Sequence, residues 1–418
     1  MAKNDKIAGN VPNKGKSNIP RLRFPEFEGE WKENKLEEIG EFLGGGTPSS
    51  SNADYWDGKI PWISSSDLKE NDINTINISR YISKEAVSNS ATKLCKAPAI
   101  HIVSRVGVGK VAYSSTSLCT SQDFVNIINF KCNGLFLSYL LSIRMREAGA
   151  KTQGTSIKGI SSIEIKTKNI LLPLRDEQNK ISQLLSLIDH RIQTQNKIIL
   201  HYQSLIQNLG NAIFKQKIRF KDNLGNDFPN WERCNLKDVA ERVVEKNFHN
   251  NQNILTISAQ YGLISQLDFF NKSVAAKNVS GYYLLTRGDF AYNKSYSAGY
   301  PMGAIKRLNR YNQGIVSTLY ICFRFKERAN QDFMEHYFES QIQNSELEKI
   351  AQEGARNHGL LNVGVNDFFN VEIKLPSINE QVEIAKLLSS LGMRITVEKN
   401  IFGKLKQQKD YLLQNLFI

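Results

Sequence analysis

The 418 residues contain only five cysteines, and no two of them form a Cys-x-x-Cys pair. That excludes a disulfide frame and a zinc ribbon. Cys95, Cys119, Cys132, Cys234 and Cys322 read instead as reduced thiols of a cytoplasmic protein. There is no Gly-x-x-x-x-Gly-Lys-Ser/Thr run, so no P-loop. No two prolines are adjacent, which removes the Asn/Asp-Pro-Pro-aromatic motif of amino-group methyltransferases. The six histidines form no His-Glu-x-x-His pair. His101 lies in an apolar run and reads as a core residue. No apolar run reaches the roughly 18 residues of a membrane span, and the first residues lack a signal-peptide core. Gly107-Val-Gly109-Lys110 mimics a dinucleotide fingerprint, but no helix pattern follows it. It reads as a tight strand connection. No catalytic or metal-ligating constellation remains, so the expectation is a non-enzymatic chain with no cofactor of its own.

What is abundant is positive charge. Lys and Arg outnumber Asp and Glu by 54 to 41, a net charge of +13. An excess of that size points to a polyanionic partner; a membrane surface is the alternative, but no basic amphipathic helix stands out to support it. Residues 1–20, with Lys3, Lys6, Lys14 and Lys16, read as a flexible basic tail.

The longest regular pattern runs from Asp176 to Phe214. Ile181, Leu185, Ile188, Ile192, Ile199, Tyr202, Ile206 and Leu209 recur at steps of four and three, the spacing of a coiled-coil seam. Gln195 fills the one gap. From Asn379 to Phe417 the pattern returns, 203 residues on at Ile384, with Leu388, Leu391, Ile395, Phe402, Leu405 and Leu412. Glu398 and Lys409 interrupt it, and these polar breaks either set register or are exposed rim positions. Ser377-Ile-Asn-Glu380 reads as a capping box at its start. Two matched helices in one chain favour packing on each other, with a two-chain coiled coil as the competing arrangement.

The repeat extends beyond the helices. Trp31, Leu36 and Ile39 match Trp231, Leu236 and Val239. Gly154–Gly159 matches Gly354–Gly359, and each loop leads through a strand ending in Leu-Pro into a long helix. The expected segments are a tail (1–20), a first globular domain (21–174), a first long helix (175–216), a second domain (217–376) and a second long helix (377–418). The two bodies between these landmarks look divergent. Strand-like runs include 60–63, 99–103, 111–113 and 124–130 in the first, and 254–258, 288–292, 304–308 and 315–325 in the second. Short helices are expected at 135–146 and 331–342.

Candidate DNA contacts are the polar donors of the two bodies. In the first they are Gly45, Gly46, Thr47 and Ser49 in a Gly-rich loop, then Ser64, Ser65, Arg105, Lys110, Gln122, Lys151, Gln153, Thr155, Ser156 and Lys158. In the second they are Gln260, Tyr261, Asn293, Lys294, Ser295, Tyr296, Lys306, Arg307, Arg310, Arg356, Asn357, His358 and Asn362. Bare amides and hydroxyls suit phosphates, and Gln, Asn, Arg and Lys suit base edges. Each alone is more often a solvated side chain; the case rests on two matched sets in a basic chain.

The RLRFPEFEGEW opening, the GGGTPSSSNADYWDGKIPWISSSDL segment, the two glycine loops and the two Pro-led helices together resemble the DNA-specificity subunit of type I restriction-modification enzymes. The second half lacks a Gly-Gly-Thr-Pro loop. The resemblance implies an α+β fold: two tandem-repeated globular α/β target-recognition domains, separated by a pair of long antiparallel coiled-coil helices with pseudo-two-fold symmetry. It implies that each domain reads one half of a split DNA target. The helix pair would set the spacer and dock methyltransferase subunits, expected to be two. S-adenosylmethionine would be carried by those subunits, and ATP and Mg2+ by motor-nuclease subunits. A coiled-coil scaffold without a DNA role, or a stand-alone methyltransferase or nuclease, are the rival readings.

Overall fold

The computed structural model describes residues 18–152, 159–258, 261–270, 279–353 and 361–418. Residues 1–17 of the tail expected at 1–20 lie outside them, whereas Asn18 O accepts from Trp31 N–H at 2.9 Å. The chain forms two compact units, residues 1–196 with 401–418, and residues 197–400. Both long helices, Arg175–Phe214 and Ile378–Asn415, pass from one unit into the other.

Within the first unit, Glu41–Gly44, Phe124–Ile128, Ala99–Val103 and Val111–Ser114 form an antiparallel sheet in that order. Every residue of Ala99–Val103 and Phe124–Ile128 is buried, as central strands covered on both faces require. The second unit contains the same sheet in the same order: Ala240–Arg242, Ile321–Phe325, Phe290–Asn293 and Ala304–Arg307. The bodies are therefore less divergent than their sequences. They differ in the secondary sheets. The first unit adds one of four strands (Arg80–Ile82, Ile60–Ile63, Leu118–Thr120, Leu94–Cys95), and among the described residues the second adds three separate strand pairs.

Two details depart from the sequence expectation. The run 315–325 is two strands in different sheets, Gln313–Val316 and Ile321–Phe325, parted by a turn in which Tyr320 N–H donates to Ser317 O at 3.1 Å. No Gly or Pro marks that turn. The helix expected at 135–146 is longer, Gly134–Thr152.

The frame around each sheet repeats most of its contacts. Lys32–Lys35 pairs with Asn169–Leu172, and Glu232–Asn235 with Glu372–Leu375. Arg23 donates to both oxygens of buried Glu177 at 2.8 and 2.7 Å; Arg219 does the same to buried Glu380 at 3.4 and 3.0 Å. Gln178 donates to Pro173 O and accepts from Asn133 N, and Gln381 does so with Pro376 O and Asn330 N. Asn133 and Asn330 each accept from the N–H three residues on, capping the helix that follows. Ser377 accepts from Glu380 N–H at 3.4 Å, but the Glu380 carboxylate turns to Arg219. The expected capping box is thus only half made.

Each core is closed by both long helices. In the first unit Ile181, Leu185 and Ile188 share a cluster with Leu412, Leu413, Leu416 and Phe417. Phe417 sits 5.1 Å from Phe136 and 6.4 Å from Trp31, centroid to centroid. In the second unit Ile213 and Phe214 share a cluster with Ile384, Ala385 and Leu388, and Phe214 lies 5.6 Å from Phe333. The start of one helix meets the end of the other in each unit, so the helices run antiparallel. Tyr202, Ile206 and Ile395 are half-buried, and Ile199 and Leu405 are buried.

The polar interruptions of the seam are not rim positions. Glu398 is buried, with Arg394 at 2.6 Å. Lys409 is buried and lies 2.5 Å from Asp189, which accepts from Tyr139 Oη at 2.7 Å and Asn74 Nδ2 at 2.8 Å.

Removing Glu177 leaves Arg23 without its carboxylate in a mostly buried site. Glu177→Ala should lower unfolding free energy by about 3–5 kcal/mol, read by urea denaturation. His101 is fully buried in the strand Ala99–Val103. Its Nδ1 lies 2.8 Å from Asn126 Oδ1, and Nε2 meets no protein donor or acceptor among the described residues. Burial holds its pKa down at about 4. The folded state then binds fewer protons than the unfolded one between that value and about 6.5, so stability falls as pH drops through this window. His101→Gln should reduce the acid-induced loss by up to about 3 kcal/mol, seen by comparing denaturation at both ends of the window.

Candidate nucleic-acid interface

The first unit gathers sequence-distant polar residues at one end of its sheets. Ser104 N–H donates to Asp123 O at 2.8 Å, Ser121 N–H to Ile63 O at 2.9 Å, and Gly46 N–H to Thr120 O at 2.8 Å. These bonds bring the segments of Thr47, Ser64, Arg105 and Gln122 together. Lys110 closes the group, its ammonium donating to Ser65 O at 3.0 Å. Thr47, Ser49, Arg105 and Gln122 are exposed, and the Thr47 hydroxyl donates to Gln122 Oε1. Ser64 is committed inward, accepting from Arg80 Nη2 at 2.7 Å and bonding Asp67. Arg80, which the sequence reading passed over, also stacks 4.5 Å from the Trp62 ring.

The Gly-rich loop needs correcting. Its amides are not bare: Gly45 N–H donates to Phe124 O at 3.4 Å, and Gly46 N–H to Thr120 O. A Cβ on Gly45 would lie 1.9 Å from Ser121 O, and one on Gly46 2.4 Å from the Ala91 carbonyl carbon. These glycines are there for close backbone packing, and only Thr47 and the serines after it face solvent.

In the second unit the corresponding place is the segment leaving Phe290–Asn293, the third strand in the same sheet order. Asn293 accepts from Ser295 N–H at 3.1 Å, and Lys294 Nζ donates to Val363 O at 3.4 Å. Asn362 is exposed beside them, because Leu361 N–H donates to Lys294 O at 2.9 Å. The first unit has the same dock, Ile160 N–H to Ser104 O at 2.8 Å. Ile160 and Leu361 thus each bond the residue that follows the third strand of their own sheet. Tyr296 and Tyr261 are exposed, the latter in the turn between Leu255–Ser258 and Gly262–Ser265. Lys306 is a second correction. It is buried and bound by Glu339 and by Tyr300 Oη, so it is not free to reach a base. Arg307 is likewise held, by Asp332 and Gln331. The side chains of Lys151, Gln153, Thr155, Ser156, Lys158, Gln260, Arg356, Asn357 and His358 lie outside the described residues.

None of this resembles a catalytic centre. Burial raises the thiol pKa of all five cysteines, Cys95 and Cys322 to about 12, which suppresses the reactive thiolate. Among the described residues no group of His, Cys, Asp and Glu could hold a metal, and no helix is long and apolar enough to cross a membrane.

The family described as type I restriction modification DNA specificity domain matches residues 28–201 and again 229–407, one match per repeat. The chain belongs to this family. It is 28% identical over 230 residues to the type I restriction enzyme MjaIX specificity subunit of Methanocaldococcus jannaschii. It is 34% identical over 177 residues to the EcoR124I/EcoR124II specificity subunit of Escherichia coli. Those matches span 51% and 40% of this chain, and 52% and 43% of the relatives, about half their length. A third relative, the MjaVIII specificity subunit of M. jannaschii, is 23% identical over 94% of this chain and 93% of its own length. Among solved structures, the type I restriction-modification S subunit from M. genitalium superimposes with TM-score 0.53 at 14% identity, covering 96% of this chain and 99% of that one. A chain solved in a study of assembly and conformational transition of the type I system gives TM-score 0.53 at 15% identity, covering 93% and 97%. These two likenesses are of fold: a type I specificity domain, duplicated.

If the glycines pack rather than bind, Gly45→Ala should destabilise the specificity domain by at least the 1–3 kcal/mol typical of overpacking. Thr47→Ala, at the exposed end of the loop, should stay within about 0.5 kcal/mol. Paired thermal melts measure both.

Proposed function

We propose that this chain is the non-catalytic DNA-reading subunit of a type I restriction-modification complex, working in the cytoplasm. Residues 21–174 and 217–376 are two target-recognition domains, each reading one half of a bipartite duplex target. The observation that carries this reading is the repetition of frame, sheet order and strand-end hydrogen bond in two bodies whose exposed polar residues differ. Same scaffold with different side chains at the same strand end is what two related sites with different sequences require. Thr47, Ser49, Arg105 and Gln122 in the first domain are the proposed contacts, with Asn293, Lys294, Tyr296 and Asn362 in the second. The antiparallel helices then act as a spacer, because a rigid rod between two readers sets half-site separation as dimer geometry does elsewhere.

The proposed protein partners are methyltransferase subunits, two per chain, and motor-nuclease subunits. S-adenosylmethionine, ATP and Mg2+ belong to those partners. Met393 and Val397, one turn apart on the second helix, are 65% and 48% exposed. They offer an apolar docking strip.

The test is co-expression with the cognate methyltransferase, followed by mapping of methylated adenines. A two-part motif with a fixed gap is expected. Deleting one turn within 183–207 and the matching turn of the second helix should change the gap and leave both half-sites. Methylation by the chain without partners would overturn the non-catalytic assignment. A chain whose DNA retention ignores salt would be a scaffold.

A further inference from the structure

In the second unit a cleft of about 800 Å³ is lined by the strand Ala304–Arg307, the helix Gln331–Glu339 and both long helices. Its floor is electrically settled. Lys306 is bound by Glu339 and by Tyr300 Oη at 2.9 Å, and Arg307 by Asp332 at 2.5 Å and Glu335 at 3.4 Å. Burial raises the Glu335 pKa, which Asn309 Nδ2 opposes by donating to it at 2.7 Å. The rim is different. Arg310 and Lys399 also line the cleft, both are exposed, and neither has an ion-pair partner among the described residues. Arg310 stands on a turn fixed by its neighbour Tyr311, whose Oη donates to Asp268 at 2.9 Å and accepts from Ser265 N–H at 3.2 Å. Tyr261 lines the same cleft and is 53% exposed, and Phe269 and Phe270, which follow Asp268 in the chain, are 41% and 42% exposed. Tyr261 and Phe269 meet edge to face at 6.4 Å, and Phe269 and Phe270 at 4.7 Å. Unpaired cations beside exposed rings form the surface that holds a nucleic-acid strand, charge on phosphate and ring against sugar or base.

We infer that this cleft seats one strand of the DNA duplex, with Arg310 and Lys399 on its phosphates and Tyr261 against the neighbouring sugar. This rests on the DNA-reading function proposed above and adds that a spacer helix touches DNA directly, through Lys399. With both floor cations held by carboxylates, no spare positive charge there competes with the rim for the phosphates. Because the contacts are to phosphate, they position the duplex without choosing bases.

The experiment uses the full chain in complex with its methyltransferase subunits and a fluorescent random-sequence duplex, with affinity measured across a salt series. Arg310→Ala/Lys399→Ala should flatten the slope of log affinity against log salt by about 1.8, and each single variant by about 0.9. The methylated motif should be unchanged. Lys349→Ala, which removes a charge already paired with Glu346, should leave the slope as it was. Circular dichroism melts check that the rim variants fold. A double variant that folds and keeps the parental slope overturns the cleft assignment while leaving the DNA-reading function standing. If the parental complex itself shows no salt-dependent binding, that function fails and this inference with it.

Discussion

A buried carboxylate near the start of each long helix holds this structure together. Glu177 and Glu380 are almost inaccessible, and a lone carboxylate there would be costly. Each is compensated by one arginine from the segment that opens its repeat, in two-pronged geometry. The same arginines bond main-chain carbonyls nearby, Arg23 to Glu28 O and Arg219 to Phe228 O. The pair therefore fixes three things at once: the opening segment, the tryptophan that follows it and the first turns of the helix. The next residue, Gln178 or Gln381, ties that helix to the cap of a shorter one under the sheet. Variable strands can change around this knot because nothing in it depends on them.

Periodicity made the helices legible, and spacing made the duplication legible. Both are properties of residue class rather than identity. The shared central sheet was not legible, because a strand buried on both faces needs only apolar residues of suitable size. Ala-Ile-His-Ile-Val and Phe-Ala-Tyr-Asn fill the same place without looking alike. The break between Val316 and Ile321 was invisible for a related reason. Ser317–Tyr320 turns on main-chain geometry without glycine or proline.

The candidate interface was legible in its parts and not in its commitments. Residue type says that Lys306 and Ser64 can donate, but not that Glu339 and Asp67 already stand beside them. The glycines of the first loop were read as open backbone, whereas Ser121 and Ala91 approach them too closely for any side chain. Arg80 escaped notice because its partners come from elsewhere in the chain, Trp62 from a neighbouring strand and Asp67 from the short turn Ser65–Asp67. Nor does residue type say that Thr47, Arg105 and Gln122, far apart in the chain, meet at one strand end.

The places where the repeats differ then carry the most information. Trp31 Nε1 donates to Glu177 at 3.3 Å, while Trp231 Nε1 is buried with no partner among the described residues. The larger difference is Lys409 with Asp189. At the repeat offset their counterparts are Ile206 and Gly392, which can form no such pair. Were two first helices to pack together, Asp189 would be buried opposite an isoleucine; were two second helices to do so, Lys409 would face a glycine. Either arrangement leaves an uncompensated charge in the core, a cost of about 3–5 kcal/mol per site. Only the pairing of unlike helices satisfies both. A duplicated chain faces the hazard that its halves pair with their own kind, as coiled-coil seams of equal spacing allow. One buried ion pair, set against Tyr139 and Asn74 in the first unit alone, removes that degeneracy where the apolar seam by itself would not.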